Sequence, residues 1–144
     1  MTEPKKRVLI LCTGNSARSQ MAEGLLRAMA GERLEVFSAG TRPAGLNPNA
    51  VAAMAELGID ISRQRSKSVD EFRGRSFDCI LTVCDRAREA CPVFPGRALG
   101  FHQDFKDPAA APSDGQLEIF RKVRDQLRDW LAALVPTLTA TRPD

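Results

Sequence analysis

Residues 8–24 of the chain read VLILCTGNSARSQMAEG, and this stretch decides the fold. Its first four residues form a continuous apolar run, which is typical of a strand buried on both faces of a parallel sheet. After Cys12 a polar loop with a glycine interrupts the run. Beyond the loop, apolar side chains recur at the spacing of one helix face, at Met21, Leu25 and Met29. The stretch therefore predicts a strand, a loop and a helix in direct succession.

The remainder of the chain continues the alternation of strands and helices. Further strands are predicted at residues 34–39, 78–83 and, with a weaker pattern, 97–101. Such alternation predicts βαβ units with right-handed crossovers, and hence a parallel sheet. We expect one flavodoxin-like α/β domain over residues 1–144, a three-layer sandwich with a four-stranded parallel sheet. Its tail, residues 139–144, is expected to fray.

Three helices have recognisable boundaries or faces. The first is expected to begin at Ser19 and to end at Gly31. Asn47 before Pro48 marks a second helix start, with Asn as the N-cap and Pro in the first position, and this helix should stop near Gly58. The last helix is marked by one apolar face: Phe120, Val123, Leu127, Trp130, Leu131 and Leu134.

The composition restricts the classes of function. The chain has 144 residues, of which 43% are hydrophobic, so one packed core is expected. The formal net charge of +3 is too small for a typical nucleic-acid-binding protein. No signal peptide or membrane-length apolar run is visible, so we expect a cytoplasmic protein with neither a membrane nor a nucleic-acid partner. Because the cytosol is reducing, four cysteines should be core residues, metal ligands or redox-active thiols: Cys12, Cys79, Cys84 and Cys91.

The loop of residues 12–18 has the features of an oxyanion site. A loop that runs directly into a helix turns backbone N–H groups inward, and the helix N-terminus adds its positive dipole end. Arg18 offers a planar guanidinium that matches two oxygens of an oxyanion. Cys12 should lose its proton readily in this field, and the Ser19 hydroxyl could donate to its sulfur. The sequence therefore predicts a cysteine enzyme that attacks a bound tetrahedral oxyanion.

Sites in open parallel sheets lie at the carboxyl ends of the strands, where both Cys12 and Cys84 are predicted to stand.

Other interpretations of the same residues remain open. Taken singly, however, Cys12 could be a buried strand cysteine and Arg18 a surface helix residue. Cys79 is expected to be inert core. The single histidine, His102, is expected on a surface loop, and without a C-x2-C pair no zinc site is expected.

The loop and several other motifs together resemble a known family. Residues 12–24 closely resemble the phosphate-binding loop of thioredoxin-coupled arsenate reductases, which share a fold with low-molecular-weight protein tyrosine phosphatases. The likeness runs from about Lys6 to Leu134. It includes these further motifs: Ser38-Ala39-Gly40, Asn47-Pro48, Val83-Cys84, Cys91-Pro92, Asp107-Pro108-Ala109 and residues 120–125. The resemblance implies the same fold and arsenate reductase activity.

The resemblance also implies a role for each matching residue. Cys12 would be the nucleophile, Ser19 would tune its sulfur, and Asp107 would be the general acid. Arsenate, with phosphate or sulfate as analogues, would be bound by Arg18 and by the loop amides: Thr13, Gly14, Asn15, Ser16 and Ala17. Cys84 and Cys91 would be the second and third thiols of a relay, and thioredoxin would reduce the final disulfide. The family needs no organic cofactor and no obligatory metal.

Two positions depart from the family pattern. Many relatives carry a cysteine where this chain has Ala17, but that thiol is not part of the relay. Some of the reductases bind a potassium ion through positions matching Asn15, Glu23, Ser38 and an aspartate, and this chain has Lys67 at the aspartate position. We expect the Lys67 ammonium to replace the ion as a tethered cation.

The spacing of Cys84 and Cys91 bears on the choice between a reductase and a phosphatase. Over seven residues a helix rises about 10.5 Å, at about 1.5 Å per residue. A disulfide requires Cα atoms roughly 4.4–6.8 Å apart. If residues 85–90 form a helix, the helix must unwind before the two thiols can bond. Such a switch suits a reductase, which must supply two electrons.

Two further functions remain open from the sequence. A low-molecular-weight phosphatase would use the same nucleophile, arginine and general acid, and then water. The chain has no tyrosine, and Ala109 stands where those phosphatases often place an aromatic residue after the Asp-Pro pair. Asp107 before Pro108 could also simply start a turn. The other function is a redox-sensing or anion-binding interaction domain, which would switch its thiols without turnover.

Overall fold

The computed structural model describes residues 5–140. Within this range four strands form one sheet: β1 (Lys6–Cys12), β2 (Leu34–Gly40), β3 (Cys79–Thr82) and β4 (Leu99–His102). All the pairings are parallel, and the strand order is β2-β1-β3-β4. The predicted α/β class with a four-stranded parallel sheet is therefore confirmed.

The helices lie between and after the strands. The described residues form four α-helices: α1 (Arg18–Ala30), α2 (Pro48–Ala55), α3 (Asp85–Glu89) and α4 (Gln116–Leu138). Two short 3₁₀ turns cover Val69–Phe72 and Pro108–Ala110. The predicted N-cap at Asn47 is confirmed, since its side chain accepts from Asn49 N–H at 2.8 Å.

The central strand explains why the sheet is covered on both faces. Successive side chains of a strand point to opposite faces, and all four residues of the apolar run in β1 are fully buried: Val8, Leu9, Ile10 and Leu11. On the face of α4, four predicted core residues are buried: Phe120, Val123, Leu127 and Leu131. Trp130 and Leu134 are only partly buried against that core.

Some predicted boundaries were wrong. β4 begins at Leu99 rather than residue 97, because it is an edge strand whose pairing starts where Leu99 meets Cys79 of β3. The condition set for residues 85–90 is met in part, since α3 covers Asp85–Glu89 with Ala90 as its C-cap. Of the tail expected to fray, Thr139 still donates its N–H to Val135 O at 3.0 Å. Residues 141–144 lie outside the described residues.

The parallel sheet gathers the predicted site residues at one edge. Cys12 ends β1, Gly40 ends β2 and His102 ends β4, while Cys84 follows β3 by two residues. Because all strands run in the same direction, these positions lie together where the strands have their carboxyl ends, and sites in such folds are found there. None of the helices in residues 5–140 combines the length and the apolar character that crossing a membrane demands.

Gly24 in α1 offers a test of this packing. A Cβ there would lie 2.6 Å from Ile61 Cγ2 and 3.2 Å from Met54 Cε. Gly24→Ala should therefore lower the free energy of unfolding by about 1–2 kcal/mol, although alanine normally stabilises a helix interior. Ile61→Ala should cost less in the Gly24→Ala background than in wild type, because it removes the clash. Additive costs in chemical denaturation would contradict this packing.

Candidate active site

The loop of residues 12–18 closes around the sulfur of Cys12. The N–H of Asn15 donates to Cys12 Sγ at 3.2 Å, and Ser19 Oγ lies 2.8 Å from the same sulfur. Asn15 reaches this position with a φ of 45°, a left-handed conformation that asparagine tolerates better than most residues. Cys12 is buried, so its sulfur is in contact with these donors rather than with bulk water.

The hydroxyl of Ser19 is oriented by Asn15. The Asn15 Nδ2 group donates to Ser19 Oγ at 2.7 Å, which leaves the Ser19 hydroxyl proton to point at Cys12 Sγ. The sulfur then accepts two hydrogen bonds, and both strengthen when it is ionised. This geometry is what the predicted role of Ser19 requires.

A buried chain of polar groups supports Asn15 from behind. Its Nδ2 also donates to Ser38 Oγ at 2.9 Å, and Ser38 in turn donates to Glu23 Oε1 at 2.7 Å. The other carboxylate oxygen of Glu23 pairs with Arg27 at 2.6 Å. On its acceptor side, Asn15 Oδ1 receives the N–H of Lys67 at 2.8 Å. A buried network with its members satisfied is rigid, so the loop is held before substrate arrives.

Gly40 allows the loop to approach the end of β2. A Cβ on Gly40 would lie 2.5 Å from Thr13 O and 2.8 Å from Asn15 N, both of which are backbone atoms. Backbone atoms cannot rotate away as a side chain does, so any larger residue would displace the loop. The Ser38-Ala39-Gly40 motif thus serves the site directly, through Ser38 in the network and Gly40 beneath the loop.

A cavity of about 270 Å³ opens over the loop. Its lining residues are Cys12, Thr13, Gly14, Ser16, Ala17, Arg18, Arg42, Ala44, Asp107 and Ala109. The structure therefore brings the predicted nucleophile, arginine and general acid to one place. The volume lies below the range of drug-sized pockets and suits a small oxyanion.

Arg18 belongs to this cavity and is not a surface helix residue. Its Nη1 donates to Phe105 O at 2.9 Å, and its side chain is only 12% exposed. Its Nη2 lies 4.0 Å from Asp107 Oδ2. The bond to Phe105 fixes the guanidinium plane, which leaves the remaining N–H groups available for oxyanion oxygens.

Asp107 both starts a turn and faces the site. One carboxylate oxygen accepts from Ala109 N–H at 3.0 Å, which begins the 3₁₀ turn. Gln116, the first residue of α4, holds that turn in place, because its Nε2 donates to Ala111 O at 2.8 Å. The Asp107 side chain is 46% exposed and lines the cavity, and its second oxygen, Oδ2, is the one that lies 4.0 Å from Arg18 Nη2.

Arg42 was missed in the sequence analysis. It follows the end of β2 by two residues, lines the cavity, and donates its backbone N–H to Thr13 O at 2.8 Å. The rule that sites lie at strand carboxyl ends could have drawn attention to it. Arg42 is exposed and is the second arginine, besides Arg18, among the residues that line the cavity.

Cys84 is buried next to the loop. Its Sγ lies 3.3 Å from Thr13 Oγ1, and Thr13 is the neighbour of Cys12 in the chain. Backbone pairing explains the proximity, since Val83 N–H donates to Leu11 O at 3.0 Å. Cys84 is also the N-cap residue of α3, so it stands at the start of the helix that separates it from Cys91.

Cys91 lies at the other end of α3, apart from this group. It is half-buried, and Cys91 Sγ donates to Pro92 O at 3.4 Å. Burial raises the pKa of the Cys91 thiol above its ordinary value. The remaining cysteine, Cys79, is buried in β3, as expected for a core residue.

His102 corrects an expectation. The sequence analysis placed it on a surface loop, but it ends β4 and its side chain is only 18% exposed. Its Nδ1 lies 2.7 Å from Thr82 Oγ1, and its Nε2 lies 2.7 Å from Asp85 Oδ1. The reason for the error is that pairing with β3 extends β4 by one residue beyond the predicted strand.

Lys67 stands where the resemblance would put a potassium ligand. Its Nζ lies 3.7 Å from Glu23 Oε1 and donates to Arg65 O at 2.6 Å. Burial is the main cause that lowers the pKa of Lys67, with Glu23 opposing that shift. An ammonium beside Glu23 does not fit a potassium ion. Elsewhere in residues 5–140, no three His, Cys, Asp or Glu side chains are grouped as metal ligands.

Comparison with known proteins agrees with this geometry. The family model described as low molecular weight phosphotyrosine protein phosphatase matches residues 7–143. The chain belongs to this family. It is 44% identical over 125 residues to an arsenate reductase of Halalkalibacterium halodurans, which covers 85% of this chain and 90% of that protein. It is 42% identical over 134 residues to an arsenate reductase of Bacillus subtilis, with 92% and 96% covered.

Solved structures of an arsenate reductase and of a low-molecular-weight phosphatase show the same fold. An arsenate reductase in its oxidized state has a TM-score of 0.81 and 30% identity, and covers 92% of this chain and 98% of that one. A low-molecular-weight protein tyrosine phosphatase from T. tengcongensis has a TM-score of 0.75 and 28% identity, with 92% and 99% covered. The resemblance to arsenate reductases of this family, inferred from the motifs, is confirmed.

The hydrogen bond from Ser19 predicts a measurable effect on the nucleophile. Ser19→Ala removes one of two donors to Cys12 Sγ and should slow alkylation of Cys12 by iodoacetamide at pH 7 about tenfold, the usual effect of losing a bond to a charged group. Mass spectrometry of the Cys12 peptide measures the rate. Ser113→Ala, in the exposed turn before α4, serves as the control. Equal rates for Ser19→Ala and wild type would show that Ser19 does not stabilise the thiolate.

Proposed function

We propose that this chain is an arsenate reductase that reduces arsenate to arsenite through a relay of Cys12, Cys84 and Cys91. The observation that carries the proposal is the position of the second thiol. Cys84 Sγ lies 3.3 Å from Thr13 Oγ1 of the oxyanion loop, and α3 separates it from Cys91. The family members named arsenate reductase support the choice of arsenate as the substrate.

In the first step the Cys12 thiolate attacks arsenic. Arg18 and the N–H groups of the loop hold the arsenate oxygens and stabilise the charge that develops on them. Asp107, on the same cavity, protonates one oxygen, which leaves as water. A Cys12–arsenate thioester results, and arsenic is still pentavalent.

In the second step Cys84 supplies the electrons for reduction. Its thiolate attacks Cys12 Sγ, a Cys12–Cys84 disulfide forms, and the electron pair of the sulfur–arsenic bond goes to arsenic. Arsenite leaves as the trivalent product. Ser19 donates to the Cys12 sulfur, and Thr13 is in contact with the attacking sulfur of Cys84.

In the third step Cys91 attacks Cys84 and frees Cys12 as a thiolate. The intact α3 keeps the two thiols too far apart, so it must unwind first. Because burial raises the pKa of Cys91 in the folded segment, unwinding also exposes this thiol and lets it ionise. Thioredoxin, at about −270 mV, then reduces the Cys84–Cys91 disulfide.

The proposal includes the compartment of the protein and its domain organisation. We place the protein in the cytoplasm, where thioredoxin keeps thiols reduced. We also treat residues 1–144 as one domain, because the buried hydrophobic residues form a single cluster across the described range.

A phosphatase of the same family would use Cys12, Arg18 and Asp107 alone, and the Cys84–Cys91 pair would then have no part in its chemistry.

One assay separates the reductase from its alternatives. Arsenate-dependent NADPH consumption with thioredoxin and thioredoxin reductase is expected for wild type and for Cys79→Ala, the matched control. The rate should fall to background in Cys12→Ser, Cys84→Ser and Cys91→Ser, because each substitution removes one thiol of the relay. No turnover by wild type would overturn the reductase proposal, whereas full turnover by Cys91→Ser would remove the third thiol from it.

Lys67 is proposed to act as a built-in cation beside Glu23. Wild-type turnover should therefore not respond to potassium chloride beyond its response to sodium chloride at equal ionic strength. Lys67→Asp places a second carboxylate near Glu23, so its turnover should fall in sodium and recover in potassium. Lys122→Asp, on α4, controls for the change in net charge. A specific potassium requirement in wild type would contradict the proposal.

A further inference from the structure

His102 joins β3 to α3 through two short hydrogen bonds. Its Nδ1 lies 2.7 Å from Thr82 Oγ1 on β3, and its Nε2 lies 2.7 Å from Asp85 Oδ1, in the first residue of α3. We call these two bonds the His102 bridge. It is attached to the segment between Cys84 and Cys91, yet none of the three relay steps described above uses it.

The Nε2–H tautomer of His102 satisfies both bonds. The carboxylate of Asp85 can only accept, so Nε2 donates to it. In this tautomer Nδ1 is an acceptor, and the Thr82 hydroxyl donates to it. The bridge is therefore a directed chain from Thr82 through the imidazole to Asp85, and each partner has a defined role.

Few other contacts hold α3 in place. The helix has five residues, and only Ala87 among them is buried. A helix this short is marginal on its own, and an alanine side chain buries little surface. Its backbone is held by the N–H of Arg88 donating to Cys84 O at 3.2 Å and the N–H of Ala90 donating to Arg86 O at 3.0 Å. The side-chain contacts described besides the bridge are a bond from the Asp85 N–H to Asp104 Oδ1 at 2.9 Å and an approach of Arg88 to Asp85 at 4.0 Å. Both converge on Asp85, the residue that the bridge holds.

Space for a rearrangement lies next to the bridge. A cavity of about 400 Å³ is lined by Cys91, Arg88, His102 and Thr82, together with residues in or next to β3 and β4. The third thiol and residues of the bridge therefore line the same cavity. When α3 unwinds, the Cys91 side chain has room beside the sheet to approach Cys84.

We propose that His102 is a positioning residue of the relay: its bridge holds α3 in the reduced enzyme and breaks when the Cys84–Cys91 disulfide forms. This inference rests on the proposed function, because that disulfide is the relay's end product. In the step concerned, the Cys91 thiol loses its proton to solvent and attacks Cys84 Sγ. The Cys12–Cys84 bond breaks, the Cys84–Cys91 bond forms, and Cys12 leaves as a thiolate.

A bridge present only in the dithiol form stabilises that form. His102→Phe, which keeps the ring shape without the hydrogen bonds, should shift the thiol–disulfide equilibrium of Cys84 and Cys91 about tenfold toward the disulfide. That corresponds to a reduction potential about 30 mV more negative. Asp85→Ala, at an exposed position, should give a similar shift. The shift of the double variant should be clearly less than the sum of the two single shifts, because both changes remove the bond between His102 and Asp85.

Two matched variants control this measurement. His102→Gln retains an N–H donor that can reach Asp85 and should restore most of the wild-type potential. Glu89→Gln changes an exposed charge of α3 outside the bridge and should leave the potential unchanged. All variants are titrated with dithiothreitol in a Cys12→Ser background, so that only Cys84 and Cys91 pair, and peptide mapping verifies that disulfide. The titration uses no arsenate, so it tests the bridge separately from arsenate reduction.

A spectroscopic test follows from the composition, because His102 is the only histidine. In untagged protein labelled with ¹⁵N, one pair of ring nitrogens is visible. The reduced protein should show the fixed Nε2–H tautomer, and the oxidised protein should show the averaged signals of a free imidazole. An unchanged potential in both His102→Phe and Asp85→Ala, or the same fixed tautomer in both redox states, would overturn the inference.

Discussion

The buried amide of Asn15 is the constraint on which the rest of the site depends. Its Nδ2 donates to Ser19 and Ser38, and its Oδ1 accepts from the backbone of Lys67, so one side chain joins the loop, β2 and the segment before the first 3₁₀ turn. The same residue turns its own N–H onto Cys12 Sγ from a left-handed conformation. Backbone bonds such as that from Arg42 N–H to Thr13 O also hold the loop, but the bonds of Asn15 are the ones that place donors on the Cys12 sulfur.

This constraint is independent of what happens to the bound anion. A phosphatase and a reductase of this family need the same loop, arginine and aspartate, because phosphate and arsenate share charge and shape. The difference lies just after β3, where Cys84 precedes a short helix whose side-chain contacts are mainly those of Asp85. In our account the rigid loop performs the first step. The weakly held α3 then unwinds, so that the disulfide passes from Cys12–Cys84 to Cys84–Cys91.

The sequence predicted the local parts of this arrangement well. The apolar run of β1, the loop and α1 follow one another directly, so the local sequence pattern is enough to predict them. Arg42, the contact of Thr13 with Cys84, and His102 in its bridge were not foreseen. Each depends on residues far apart in the sequence that meet only when the sheet is assembled. The start of β4 was misplaced for the same reason, since its partner strand sets the boundary.

The most direct test of the account is to stop a single turnover with acid and map the disulfides by mass spectrometry. Stoichiometric arsenate should give a transient Cys12–Cys84 disulfide in wild type, followed by Cys84–Cys91. In Cys91→Ser the first disulfide should accumulate, because nothing can release Cys12. Arsenite formed without any Cys12–Cys84 disulfide would contradict the relay at its central step.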